Sequence, residues 1–280
     1  MPVETIGQQL RIRVKSPTLF SKFRTHGVGK KGDAMFIVMM IILLLSFAVI
    51  LYFVFRINFG AVNDEEICHN SVIMQAVGKG IVGTLNCKTK YVCISGGDKC
   101  EGITAKEIIK VNAKNKEEII GAIADEMKTC YWMFGEGKLD YTEILKFWGQ
   151  FCGKCSVIGF DKKIQEAMTP MSYIELYSEI NKFNIPKENI QTTQTYLEYF
   201  YGTKDIKTIQ GIFNPFIKNY FDNNFDFSKN YFIMTGVWKS EWIPPVFPES
   251  NKQVPVTILE RTQKGYSSLK YNCNFLTEEA

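Results

Sequence analysis

The chain has 280 residues, 46% apolar and 22% charged, with a formal net charge of +4. That composition excludes a chain disordered throughout and leaves room for one anchor and one domain with a sizeable core. Seven basic residues (Arg11, Arg13, Lys15, Lys22, Arg24, Lys30, Lys31) against Glu4 and Asp33 give the first 33 residues a net +5. That leaves −1 for residues 34–280, which excludes bulk-charge binding of nucleic acid by that part of the chain.

Residues 1–33 read as a basic cytoplasmic tail. From Ala34 to Phe55 the chain then runs without a charge, Ser46 being its one strongly polar side chain. At about 1.5 Å per residue this run reaches roughly 33 Å, enough for a bilayer core, so a transmembrane helix is expected over 34–56. The basic flank keeps the tail inside and sends the remainder out. The apolar run is too long for a cleavable signal and no small-residue cleavage site comes after it, which makes it a signal anchor. Lys31-Gly32-Asp33-Ala34 resembles the cleavage site of archaeal type IV pilin precursors, which gives a pilin-like subunit as one alternative. Arg56-Ile57-Asn58-Phe59-Gly60 breaks the helix that a pilin would continue, so the leader through Gly32 is expected to stay attached.

Residues 61–280 read as one extracytoplasmic α+β domain. All eight cysteines (Cys68, Cys87, Cys93, Cys100, Cys130, Cys152, Cys155 and Cys273) lie after the apolar run. An even number confined to the outer side predicts disulfides, whose connectivity the sequence leaves open. An apolar segment around Ser71 to Val82 precedes T-L-N-C-K-T-K-Y-V-C-I, which is strand-like and places Cys87 and Cys93 at or near a reversal. A helix comes next, with Asn115 as N-cap, Glu117 and Glu118 in its first turn and Gly135 as terminator. Ile119, Ile120, Ile123, Met127, Cys130, Tyr131 and Phe134 share one face, so Cys130 should tie this helix to the core.

S-V-I-G-F after Cys155 predicts a short buried strand, Thr169-Pro170 a helix start, and Thr192 to Tyr201 a helix closed by Gly202. In the last third, N-Y-F-I-M-T-G-V-W-K and V-P-V-T-I-L-E-R-T form an antiparallel pair across a proline-bearing connection. The aromatic run F-N-P-F-I-K-N-Y-F-D-N-N-F-D-F reads as core, with a recognition surface as the alternative.

Four runs carry a resemblance: E-M-K-T-C-Y-W-M-F-G-E-G-K at 126–138, C-x-x-C followed by S-V-I-G-F, T-Y-L-E-Y-F-Y-G at 195–202, and F-S-K-N-Y-F-I at 227–233. They are similar to a group of uncharacterised archaeal single-pass membrane proteins, which implies an architecture and no activity. Cys93 and Cys100 look like additions to that pattern, and the resemblance thereby favours a local Cys93–Cys100 bridge.

F-W-G-Q-F-C-G-K-C, ending at Cys155, also resembles the thioredoxin active-site run. On that alternative Cys152 is the attacking thiolate and Cys155 the resolving thiol of an extracytoplasmic oxidoreductase. Phe151 stands where thioredoxins usually have tryptophan, and a strand rather than a helix comes after Cys155, so the pair is expected to be structural. Only two histidines are present, His26 in the tail and His69, and neither joins a triad or zinc spacing. Asp222 and Asp226 lack the glycine and glutamate of a calcium loop. No cofactor or metal is expected. The leading expectation is a non-enzymatic binding or scaffold protein whose partners are the bilayer and other membrane or envelope proteins.

Overall fold

The computed structural model describes residues 36–49, 63–78, 85–142, 149–185, 193–214, 216–217, 219–239, 251–262 and 273–279. The chain divides into two units, Met1–Ala61 and Val62–Ala280. In the first, residues 36–49 form a helix (α1) whose every side chain is exposed, the large apolar ones by 46–67%. Among the described residues no helix is long and apolar enough to cross a membrane. The remaining residues of the expected span 34–56, the basic tail and the Lys31–Ala34 site lie outside the described residues.

The second unit mixes α and β. Its described helices are α2 (Asp64–Val77), α3 (Lys116–Met133), α4 (Lys162–Ala167), α5 (Tyr173–Ile180), α6 (Tyr196–Tyr201) and α7 (Ile206–Phe213). Its strands are β1 (Lys88–Ser95), β2 (Glu107–Lys110), β3 (Gly149–Phe160), β4 (Met171–Ser172), β5 (Asn224–Phe225), β6 (Tyr231–Lys239), β7 (Asn251–Glu260), β8 (Cys273–Phe275) and β9 (Glu278–Glu279). Among the described residues the main sheet runs β2-β1-β3-β6-β7, parallel from β2 to β3 and antiparallel from β3 to β7. β8 and β9 complete it, beside β3 and β1 respectively.

β3 is the spine. One edge bonds β6 from Gly149 to Ile158, while the other bonds β8 at 150–152 and then β1 at 156–160. A strand paired on both edges can be apolar throughout, and every residue from Gln150 to Phe160 is buried. The expected short strand S-V-I-G-F is therefore the second half of a 12-residue strand that begins before the C-x-x-C pair. β1 likewise runs straight through Cys93, the chain turns back just beyond Ser95 so that Cys93 lies near that reversal rather than at it, and Cys87 sits just before the start of β1.

α3 packs across β3, β6 and β7. It starts as its sequence dictates: the Asn115 side chain accepts hydrogen bonds from the N–H groups of Glu117 and Glu118. Its buried side is wider than the expected stripe and adds Ala122, Ala124, Glu126 and Met133. α5 starts later than Thr169-Pro170 suggests. Met171 and Ser172 pair with Phe225 and Asn224, and Ser172 becomes the cap. α6 is shorter than expected because Thr195 forms a capping box with Glu198, and Gly202 closes it at φ 70°.

The aromatic run is core: Phe213, Phe216, Tyr220, Phe221, Phe225 and Phe227 are all buried. β6 and β7 form the expected antiparallel pair, with a register shift opposite Pro255, where a residue lacking N–H costs least. β7 ends the described sheet. Two of its carbonyls accept side-chain hydroxyls in place of a further strand: Tyr201 OH donates to Val256 O at 2.6 Å, and Tyr220 OH to Ile258 O at 2.8 Å.

Candidate functional site

The eight cysteines form four disulfides: Cys68–Cys87, Cys93–Cys100, Cys130–Cys155 and Cys152–Cys273, with Cα separations of 4.5, 5.7, 5.4 and 5.8 Å. Cys93–Cys100 is the bridge that the archaeal resemblance favoured. Cys130 ties α3 to the sheet, as its place on the apolar stripe implied.

Cys152 and Cys155 are not bonded to each other. Residues three apart on an extended strand leave on opposite faces, so Cys155 turns toward α3 and Cys130 while Cys152 meets Cys273 of the neighbouring β8. The register with β6 slips between Lys154 and Ser156, which makes Cys155 the extra, bulged residue. Gly153 is required between them, because a Cβ there would stand 2.0 Å from the Phe134 ring. An activated thiol needs a helix N-terminus and access to a substrate. Here both sulfurs sit in the central strand and are buried. Phe147 and Trp148 of the thioredoxin-like run lie outside the described residues.

The charged chemistry lies elsewhere. Lys90, pointing from β1, places its ammonium 2.8 Å from Glu107 of β2, 3.0 Å from Glu65 of α2 and 3.1 Å from Glu126 of α3. Burial alone would lower its pKa, but Glu126, Glu107 and Glu65 together more than reverse this and raise it. Lys90 is therefore a fixed cation, unsuited to act as a base or to form a Schiff base. Glu126 behaves oppositely: burial raises its carboxyl against the pull of Lys90, the nearby Glu107 adds to the rise, and Ser156 beside it partly offsets it. These groups wall a cavity of about 350 Å³ that also takes in Thr89, Thr129 and Cys155. The arrangement can hold a small polar ligand and exchange a proton at Glu126. It contains no histidine-activated nucleophile, since His69 instead stacks on Trp132, with ring centroids 4.1 Å apart. Among the described residues no group of His, Cys, Asp or Glu is set to hold a metal ion.

Sequence reading missed this cluster although it left a signal. Glu126 interrupts the stripe Ile119, Ile123, Met127, Cys130, and a carboxylate on an apolar stripe needs a cation from another element. Asp161, fully buried, was missed too. It accepts hydrogen bonds from Ser95 Oγ, Asp98 N and Ile164 N, caps α4 and fixes the loop closed by Cys93–Cys100. Comparison with protein-family models, curated protein sequences and solved structures finds no match to this chain.

Proposed function

We propose that the chain is a membrane-anchored, extracytoplasmic binding or scaffold protein, its residues 34–56 in the bilayer, its basic tail inside and Val62–Ala280 outside. One observation carries this reading: α1 exposes every side chain and all but Ser46 and Ala48 are large and apolar. In water that surface would cost about 25 cal/mol per Å², and a bilayer removes the cost. The four disulfides add support, because such bonds persist in oxidising compartments. The Lys90 cavity offers a site for a small polar ligand, and partners of the scaffold would be other membrane or envelope proteins. The archaeal likeness agrees with this placement.

The test is topological. Protease added to intact cells should degrade an epitope at the C-terminus and spare one in the tail, and alkaline carbonate should leave the chain in the membrane fraction. Protection of the C-terminal epitope, or extraction by carbonate, would refute the reading. Edman or mass-spectrometric reading of a mature N-terminus at Asp33 would favour the pilin-like subunit instead.

A further inference from the structure

After α3 the turn Gly135-Glu136-Gly137 holds three successive residues at positive φ, 77°, 55° and 69°. Glycine adopts that region freely, whereas glutamate is uncommon there and is strained. Ending the helix does not need this side chain, because Gly135 N–H already bonds Trp132 O and Glu136 N–H bonds Tyr131 O through the backbone. A third glycine would make the same turn at lower cost.

The carboxylate is held in place: Tyr199 OH donates to it at 2.7 Å and Lys138 Nζ at 2.6 Å. Lys138, then Tyr199, keeps its carboxyl below the usual range against a partial burial, so it is ionised near neutrality. It borders a second cavity, of about 530 Å³, whose described walls include Tyr131, Trp132, Lys138, Gln194 and Tyr199. Core aromatics nearby, such as Phe134, Tyr196 and Phe200, are buried, but Tyr131, Trp132 and Tyr199 are only partly so. Their rings are nevertheless fixed. Tyr199 meets Tyr131 edge-on at 5.1 Å, and Trp132 is backed by the parallel ring of His69.

We propose that this cavity binds a pyranose unit of a saccharide. Fixed aromatic rings accept the C–H face of a sugar, while a carboxylate, an amide and an ammonium supply the acceptors and donors that hydroxyl groups require. A quaternary ammonium ligand, the other guest of aromatic cages, fits the charge less well: among the described walls Lys128 and Lys138 face one carboxylate, Glu136. The inference does not depend on membrane placement, since it is tested on the purified full chain in detergent.

The probes are an array of neutral and acidic oligosaccharides, with calorimetry on any retained glycan, and tetramethylammonium. Retention of a glycan is expected, with affinity falling on the order of tenfold or more in Glu136→Gly, as for loss of a charge-assisted hydrogen bond. The same substitution relieves the backbone, so its melting temperature should not fall. Trp132→Phe, which keeps a ring, should weaken binding less than Trp132→Ala. No retained glycan, or tetramethylammonium bound in its place, would overturn the proposal. So would a Glu136→Gly protein that melts earlier yet binds as before, because the carboxylate would then be a latch for the fold.

Discussion

Lys90 shows how one side chain can set the behaviour of its surroundings. Its three carboxylate partners come from three different elements, so the ammonium joins α2, β2 and α3 to β1 while offsetting part of their negative charge. Removing one member of a buried ion pair is far more damaging than removing both. Lys90→Met should therefore cost about 3 kcal/mol at pH 7, the low end for breaking a buried pair because the Lys90 side chain is still 23% exposed. The loss should shrink on acidification as the stranded carboxylates take up protons. Glu126 by itself has the opposite sense from an ordinary paired carboxylate. Its folded pKa is raised, so its contribution is complete below the unfolded value and is lost as pH rises through the folded one. Glu126→Gln stays uncharged, so relative to the native chain it should gain stability as pH climbs above the usual carboxylate range. Thermal melts of both variants across pH 4 to 8 measure this, and parallel profiles for native and Glu126→Gln proteins would contradict it.

Elements were legible where a local signal decides them. The Asn115 cap of α3, the Gly202 stop of α6 and the β6–β7 pair all depend on neighbours in sequence, and each lies where the sequence places it. The beginning of α5 was misread because Met171 and Ser172 are claimed by Asn224 and Phe225, some fifty residues on, which no local pattern announces. The C-x-x-C run was misplaced for a similar reason. Its flanking glycines and polar residues look like a loop, but β6 and β8 hold both edges and make it the middle of a sheet. The glycine between the cysteines then has a packing role. Gly153→Ala should drive a methyl into the Phe134 ring and lower stability by about 1–3 kcal/mol, the usual penalty for overpacking. Combining it with Phe134→Leu should recover part of that loss if the ring is the obstacle; equal loss in both backgrounds would place the strain elsewhere. Neither cavity could be read from the sequence as a site, since each gathers residues from separate elements and only Glu126 and the Gly135-Glu136-Gly137 turn carried a visible anomaly.

Across the whole molecule the disulfides divide by reach, and that division predicts what each contributes. Cys93–Cys100 closes 7 residues, Cys68–Cys87 19 and Cys130–Cys155 25, whereas Cys152–Cys273 closes 121 and fixes the short strand β8 beside the centre of the sheet. In the chain-entropy account a cross-link stabilises by restricting the unfolded chain, and its effect grows with the logarithm of the loop. Replacing both members of Cys93–Cys100 by serine should then cost about 2.5 kcal/mol, and of Cys152–Cys273 about 5 kcal/mol, the two shorter inter-element bridges falling between. Serine pairs remove the bond without stranding a lone thiol, so the ranking is read from denaturant melts of the full chain. A redox role would rank them differently: a bond that cycles has to open cheaply, near thioredoxin-like potentials of about −120 to −270 mV, whereas a staple resists to below about −300 mV. Cys152 is therefore expected to sit in the most stabilising bridge and to support no insulin reduction in the native chain. If its bridge proves the cheapest to remove, and turnover vanishes with Cys152→Ser, the pair at 152 and 155 is a catalyst and the ranking by loop length is wrong.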